Sequence, residues 1–146
     1  MVSLIYCYEY PNAEIDAVVT IWHEGSHNAF TTLVEYNDTL YCAFRSAESH
    51  MWSTSSIIIM SSSDGLSWTK QAEITSGILG QSDIRDPSLS ITPNNGLMLS
   101  AGVAALNGSI YSTVASFSDD GSTWSEPVKV IACSFKIFCI SPSSPP

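Results

Sequence analysis

The chain has 146 residues, enough for one domain with a core and too few for two substantial domains. Apolar residues make up 45% of the sequence and charged residues only 13%, a composition unlike that of disordered chains. Fourteen acidic residues against five basic ones give a net charge of −9, and the absence of any basic run argues against nucleic-acid binding. The apolar stretches are far shorter than the roughly 20 residues of a membrane-spanning helix, so we expect no membrane insertion.

Neither the N-terminal residues nor the cysteines indicate a cellular compartment. The first ten residues lack the basic region, apolar core and cleavage site of a secretory signal peptide, so the localisation stays open. Cys7, Cys42, Cys133 and Cys139 share no CxxC spacing and lie among apolar residues. We expect buried free thiols at these positions instead of a disulfide framework or a zinc site.

Short runs of β-branched and aromatic residues, separated by clusters of Gly, Asn, Asp, Ser and Pro, predict many short strands and almost no helix. A first strand is expected over residues 17–22. The next four are predicted at 30–36, 40–45, 56–62 and 69–74, and the same order recurs at 88–92, 97–104, 110–117 and 127–132. The sequence therefore predicts an all-β chain of two tandem four-stranded antiparallel meanders.

Two heptapeptides share the pattern Ser-x-Asp-Gly-x-Ser/Thr-Trp, one in each predicted meander, and their tryptophans lie 56 residues apart. That spacing is somewhat longer than the ~40–50 residues of one propeller blade. The Asp can accept hydrogen bonds from turn amides, the Gly can adopt positive φ and the Trp can anchor the next strand, so we expect a structural role. A calcium loop is the alternative, but the alternating ligands and closing Glu of an EF-hand are missing. The matching residues are Ser62, Asp64, Gly65 and Trp68, then Ser118, Asp120, Gly121 and Trp124.

This pattern resembles the Asp-box of sialidases and other BNR-repeat proteins, which are β-propellers, typically six-bladed. The resemblance extends from about residue 21 to residue 130, and the segments 27–30, 44–50 and 83–87 are similar to a branch of uncharacterised sialidase-like proteins. It implies an incomplete sialidase-type propeller: an N-terminal segment with one strand at 1–26, a first blade at 27–75, a connecting loop and second blade at 76–132, and an irregular tail at 133–146. Since closed propellers have roughly 4–8 blades, we expect a truncated product that self-associates through open blade edges.

Strand direction in a meander places the predicted polar residues at one of two ends of the sheets. The entry to the first strand and the connection between the second and third lie at one end, here called the upper end, and both Asp-boxes lie at the lower end. Both arginines of the chain, Arg45 and Arg85, fall at the upper end. The guanidinium fork suits a carboxylate and keeps its charge in a cleft.

The upper-end residues form the candidate site. Asp86, Glu48 and Asp83 are candidate acids or bases, and Arg45, Arg85, His27 and His50 are candidate substrate-binding residues. The structural alternative is a set of ion pairs between blades, Arg45 with Glu48 or Arg85 with Asp86, with His27 capping a loop. A metal site formed by His27, His50 and Glu48 is a third interpretation, but no tight ligand spacing supports it, and we predict no metal and no cofactor.

The resemblance also shows where this chain departs from sialidases. That family binds the sialate carboxylate with three arginines, whereas this chain has two, and no Tyr here stands in a matching motif, so we assign no nucleophile. We therefore predict part of the carbohydrate-binding face of a sialidase-like glycoside hydrolase, weak or inactive alone, whose partner is a carbohydrate substrate or a glycoconjugate. The alternative is a non-catalytic BNR-repeat binding or assembly module.

Overall fold

The computed structural model describes residues 2–4, 17–76, 82–107 and 111–130. Within these ranges every regular element is a β-strand, so the described part of the chain holds no helix that could cross a membrane. The strands are β1 (Val2–Leu4), β2 (Val19–Trp22), β3 (His27–Tyr36), β4 (Thr39–Ala47), β5 (Ser55–Ser62), β6 (Thr69–Ile74), β7 (Ser82–Ile91), β8 (Leu97–Ala105), β9 (Tyr111–Ser118) and β10 (Val128–Val130).

Two four-stranded antiparallel sheets follow each other along the chain, which confirms the predicted all-β fold with two meanders. The first sheet has the strand order β3-β4-β5-β6, and the second has the order β10-β9-β8-β7. Asn37 and Asp38 join β3 to β4 with φ angles of 49° and 57°. Two successive positive φ angles form the tight hairpin turn whose twist matches that of the flanking strands, and Asn and Asp tolerate this region well.

The strand predicted over residues 17–22 is present as β2, and it has a partner that the sequence pattern did not indicate. β2 pairs antiparallel with β1, with Leu4 opposite Val19 and Val2 opposite Trp22. The two-stranded sheet packs its β2 side chains on the first four-stranded sheet, where Ile21 lies in a cluster with Phe44.

Both faces of the first sheet are buried in the core. Because side chains on either side of β4 and β5 are buried, these strands carry continuous apolar runs instead of alternating apolar and polar residues. One face, with Ala43 and Ile59, packs against the second sheet. The opposite face, with Cys42 and Phe44, packs against β2. Cys42 is a buried free thiol, as predicted, and burial raises its pKa to about 12. The other three cysteines lie outside the described residues.

The two sheets share the same irregularities in their backbone pairing. The β3–β4 pairing shifts register between Ala29 and Thr32, and the β7–β8 pairing shifts between Arg85 and Ser88, 56 residues further on. Each shift contains one non-glycine residue with positive φ, Phe30 at 59° and Asp86 at 52°. Equivalent bulges at equivalent positions show that the repeat seen in the Asp-boxes extends to the upper end of each sheet.

The first of the two heptapeptides that resemble the Asp-box, for which we keep that name, closes the turn between β5 and β6. One carboxylate oxygen of Asp64, Oδ1, accepts hydrogen bonds from the backbone N–H groups of Leu66 (2.8 Å) and Ser67 (2.7 Å). The indole N–H of Trp68 donates to the carbonyl oxygen of Gly65 at 3.0 Å. Bonds from these backbone amides lower the pKa of Asp64 to about 2.

The second Asp-box, between β9 and β10, repeats this geometry. Oδ1 of Asp120 accepts from the N–H groups of Ser122 (2.8 Å) and Thr123 (2.7 Å), and these bonds hold the pKa of Asp120 well below its usual range. The indole N–H of Trp124 donates to the carbonyl oxygen of Gly121 at 3.2 Å. In both boxes the first Ser accepts a 2.8 Å bond from the Gly N–H, so the turn amides are paired within the motif.

Two tyrosines of the first sheet fix the second sheet at the lower end. The Tyr36 hydroxyl lies 2.8 Å from the carbonyl oxygen of Asn95 and 2.9 Å from that of Asp119, so its single proton is shared between two turns. The Tyr41 ring lies directly on Gly121, whose φ is 77°. Burial, followed by the neighbouring Tyr36, raises the pKa of Tyr41. The relative position of the sheets is therefore set at this end by contacts between the repeats.

Candidate functional site

Arg45 and Asp83 form an ion pair that joins the two sheets at the upper end. Arg45 lies near the end of β4 and Asp83 near the start of β7, and the Arg45 Nε lies 2.9 Å from the Asp83 Oδ1. Both side chains are 0% exposed. Arg45 also donates to the carbonyl oxygen of Ser49 at 2.9 Å and to the Ser53 hydroxyl at 3.3 Å. Its donors are thus used within the protein.

The Asp83 carboxylate is equally occupied. Its Oδ1 also accepts from the Ser55 hydroxyl at 3.1 Å, and its Oδ2 accepts from the backbone N–H of Trp52 at 3.1 Å. The Arg85 Nη1 lies 4.0 Å from the same Oδ2. A buried carboxylate bound in this way holds the loop between β4 and β5 against the second sheet, and it is not placed to exchange protons with a ligand.

Two histidines continue the network from Arg45 toward the surface. The Nδ1 of His27 lies 3.3 Å from the Arg45 Nη1, and the Nε2 of His27 lies 3.2 Å from the Nδ1 of His50. A guanidinium can only donate, so the His27 Nδ1 must accept and the His27 Nε2 carries the hydrogen that it donates to His50. The remaining N–H of His50 is then its Nε2, a donor free of this chain of bonds.

Arg85 is the second cation of the cluster, and its environment differs from that of Arg45. Its side chain is 12% exposed, its Nη2 donates to the carbonyl oxygen of His50 at 2.8 Å, and its guanidinium carbon lies 5.4 Å from the ring centre of Phe30. The Arg85 Nε is buried and has no hydrogen-bond partner among the described residues. The buried Nε–H cannot reach a ligand in solvent, so only the Nη1 and Nη2 groups of Arg85 can serve one.

Two exposed aromatic residues belong to this region: the Phe30 ring lies next to Arg85, and the backbone N–H of Trp52 bonds to Asp83. Phe30 and Trp52 are 37% and 43% exposed, and both have positive φ, 59° and 52°. The left-handed region is strained for bulky residues, and such strain is concentrated at functional sites. Phe30 also lies beside His50, with 5.8 Å between the ring centroids. Apolar rings next to uncommitted polar donors are the usual lining of a small-molecule site.

The structure brings together five of the seven upper-end candidates: Arg45, Arg85, Asp83, His27 and His50. Glu48 and Asp86 are both exposed, and within the described residues no hydrogen bond or ion pair links either to this cluster. The structural alternative predicted the ion pairs Arg45–Glu48 and Arg85–Asp86. In the structure, Asp83 is the acidic partner of both arginines instead. The described residues contain no group of three side chains suited to hold a metal ion.

The sequence pattern missed Phe30 and Trp52. The sequence pattern predicts Phe30 only as the first residue of a strand. Phe30 and Asp86 lie 56 residues apart, the same spacing as the two tryptophans of the repeat, and this spacing could have indicated that both have the same positive-φ backbone conformation. Trp52 lies in a Ser-rich connection that carries no motif. One Asp-box begins at the end of β5 and the other at the end of β9. Both therefore lie at the opposite end of the sheets from this cluster.

Comparison with known proteins adds no family to this description. No protein-family model matches the chain, and none of the curated proteins is significantly similar to it. The class of ligand is therefore inferred from the chemistry of the cluster.

Proposed function

We propose that this chain forms part of the carbohydrate-binding face of a sialidase-like glycoside hydrolase and that the surface around Arg85 binds an acidic sugar. The observation that carries the proposal is the Arg85 guanidinium itself, held 5.4 Å from the ring centre of Phe30, with a side chain that is 12% exposed and only a distant ion pair, at 4.0 Å, to Asp83. The planar guanidinium presents its Nη groups in a geometry suited to recognition of a carboxylate.

The charge of the cluster favours an anionic ligand. Two guanidinium groups face one carboxylate, and Asp83 makes its close ion pair with Arg45 at 2.9 Å while Arg85 lies at 4.0 Å. The charge of Arg85 is thus incompletely balanced by buried groups. In a chain with a net charge of −9, this guanidinium offers an acidic sugar a point of local attraction.

The aromatic side chains supply the second half of the site. The faces of sugar rings are lined with C–H groups that pack on aromatic rings. Phe30, whose ring lies beside Arg85 and His50, is exposed, and so is Trp52, whose backbone N–H bonds to Asp83. The His50 Nε2–H, which the hydrogen-bond chain from Arg45 leaves free, is a further donor for a hydroxyl.

Two observations support the sialidase-like part of the proposal. The Asp-box turns share the same hydrogen-bond pattern, with Trp68 and Trp124 each donating to the carbonyl oxygen of the motif's Gly. The sheets that carry them are four-stranded and antiparallel, as propeller blades are.

The second candidate function is a non-catalytic binding or assembly module. It is favoured by the state of the candidate acids. Asp83 is fully buried and bound, while among the described residues Glu48 and Asp86 form no hydrogen bond or ion pair with the cluster. Under this alternative the same sugar binds, but no glycosidic bond is cleaved.

A binding experiment tests the site. We would titrate N-acetylneuraminic acid, glucuronic acid and glucose into the chain and follow binding by NMR or calorimetry. The acidic sugars should bind more tightly than glucose, and Arg85→Met should weaken their binding about tenfold or more, the expected loss of a charge-assisted hydrogen bond.

Lys129→Met is the matched control, since it removes one positive charge from the exposed strand β10. Equal weakening by both variants would mean that net charge, and not the Arg85 site, determines binding. No preference for acidic sugars would contradict the proposed ligand class.

Hydrolysis of a panel of aryl glycosides separates the two candidate functions. Cleavage that is lost in Glu48→Gln or Asp86→Asn supports a hydrolase. Sugar binding without cleavage of any member of the panel supports the non-catalytic module.

A further inference from the structure

The Arg45 guanidinium has a fixed orientation. Its Nε donates to Asp83 at 2.9 Å, its Nη1 donates to the carbonyl oxygen of Ser49 at 2.9 Å, and its Nη2 donates to the Ser53 hydroxyl at 3.3 Å. The Arg45 side chain is fully buried. A guanidinium held in this way cannot turn away from His27, and it has no acceptor atom to offer in any orientation. The His27 Nδ1, 3.3 Å from the Arg45 Nη1, therefore stays without a hydrogen.

This constraint passes through His27 to His50. In a neutral imidazole one ring nitrogen carries the hydrogen and the other accepts, so His27 carries its hydrogen on Nε2. That nitrogen lies 3.2 Å from the Nδ1 of His50, which must accept, and the hydrogen of His50 is left on its own Nε2. Hydrogen-bond partners outside a site fix the tautomer of metal-binding histidines in the same manner. The neutral His50 ring can then donate at Nε2 but cannot accept there.

His50 and Arg85 lie close enough together to meet one ligand group. The Arg85 Nη2 donates to the carbonyl oxygen of His50 at 2.8 Å. Both side chains lie beside the exposed Phe30 ring, whose centre is 5.4 Å from the Arg85 guanidinium carbon and 5.8 Å from the centre of the His50 ring. A guanidinium never accepts, and the His50 Nε2 is a donor, so these two side chains offer a ligand hydrogen-bond donors only.

We propose that His27 is a positioning residue: by fixing the tautomer of His50, it makes His50 and Arg85 together select a ligand group that only accepts hydrogen bonds. This inference rests on the proposed binding of an acidic sugar at Arg85, and it adds how that ligand is distinguished from a neutral analogue. A carboxylate fits, since both of its oxygens accept. A carboxamide of the same shape does not, because its NH₂ group would face a second donor and stay unpaired.

Nuclear magnetic resonance of the unaltered chain tests the tautomers without any ligand. At about pH 8, where an ordinary histidine is neutral, the ring-nitrogen chemical shifts of His27 and His50 should show the hydrogen on Nε2 alone. The internal control is His23, which is exposed and forms no hydrogen bond or ion pair within the part of the chain that the structure describes. Its shifts should show a mixture of both tautomers.

Two replacements of His27 separate its hydrogen bonds from its bulk. His27→Leu removes both bonds and should leave His50 exchanging between its tautomers. His27→Gln should restore the fixed form, because the Gln amide has an acceptor oxygen for Arg45 and an N–H donor for His50. A merely structural role of His27 would not predict this difference in the nitrogen shifts of His50.

Glucuronate and its neutral amide, glucuronamide, test the selection. Glucuronate should bind the unaltered chain about tenfold or more the tighter of the two. In His27→Leu, the His50 Nε2 can accept from the amide, so the preference should fall about threefold or more. His27→Gln should keep the preference within about twofold of that of the unaltered chain, and so should His23→Leu, the matched control.

The possible results keep this inference distinct from the proposed function. A hydrogen on Nδ1 of His27 or His50, a preference unchanged in His27→Leu, or an equal fall in His23→Leu would overturn the inference, while binding of acidic sugars at Arg85 stands. If no acidic sugar binds, the proposed function fails and the selection fails with it. If His27→Leu does not fold, His50→Phe, a change at an exposed side chain, should lower the preference about threefold or more, and no fall there would overturn the inference as well.

Discussion

Arg45 and Asp83 come from different sheets and meet at 2.9 Å with both side chains fully buried. Removing one partner of such a pair leaves an uncompensated buried charge, which destabilises a protein by about 3–5 kcal/mol. We therefore expect Asp83→Ala to lower the free energy of unfolding by about that amount in urea titrations. Two apolar replacements made together, Arg45→Met with Asp83→Leu, should be less destabilising than either single change, because no buried charge is left alone.

The exposed pair between Lys70 and Glu73, at 2.7 Å, provides the comparison. Both side chains are well exposed to solvent, and pairs of this kind contribute about 0–1 kcal/mol. Glu73→Ala should therefore change the free energy of unfolding far less than Asp83→Ala. Similar losses in the two variants would show that the buried pair is not a special feature of this fold.

The Asp-box carboxylates predict a specific dependence of stability on pH. Backbone amides lower the pKa of Asp64 to about 2 and hold that of Asp120 lower still, whereas an unfolded Asp titrates near 3.9. A lowered pKa in the folded state gives stability that is complete above pH ~4 and is lost as the pH falls toward 2. The melting temperature should drop over this interval, measured by circular dichroism.

The double variant Asp64→Asn with Asp120→Asn removes the two titrating groups and keeps an oxygen that can accept the amide bonds. Its melting temperature should be lower at pH 7 and should fall less between pH 4 and pH 2. Asp38→Asn, in the exposed hairpin turn, is the control and should leave the acid response as it is in the unaltered chain. An acid response that persists fully in the double variant would assign it to other groups.

Gly121 and Gly65 occupy the same place in the two Asp-boxes, but their surroundings differ. Both have positive φ, 77° and 73°, so alanine is strained at either position. A Cβ at Gly121 would clash with the Tyr41 ring, whereas at Gly65 the nearest atom is a Leu40 methyl at 3.7 Å. Gly121→Ala should be the more destabilising by about 1–3 kcal/mol in urea titrations, the usual range for overpacking. Equal losses in the two variants would mean that backbone strain alone, and not the contact with Tyr41, sets the loss of stability.

Phe30 tests whether its strained backbone serves the site. Its φ of 59° is relieved by glycine but not by alanine, and both replacements remove the ring beneath Arg85. Phe30→Gly should therefore be more stable than Phe30→Ala by about 1 kcal/mol, while both variants bind acidic sugars about tenfold more weakly. Thermal melts and the sugar titration measure the two effects. Unchanged binding in both variants would remove the ring from the proposed site.

The local structure of this chain was largely predictable from its residues. Period-two patterns and turn residues predicted the ends of the strands from residue 17 to residue 130 to within three positions, except that β7 begins at Ser82, six residues before the predicted start at 88. The tight turn at Asn37 and Asp38 follows from the backbone freedom of those residues. The Asp-box motifs predicted two equivalent turns, since all of their hydrogen bonds close within a few residues.

The pairing at the upper end required the tertiary structure. Strand direction alone placed Arg45, Arg85, Asp83 and the histidines at one end, because every meander reverses the chain in the same way. Which carboxylate neutralises Arg45 depends on how one sheet packs on the other, and this packing brings Asp83 within 2.9 Å while Glu48 remains at the surface. Sequence spacing carries no information on that choice, since the partners are 38 residues apart.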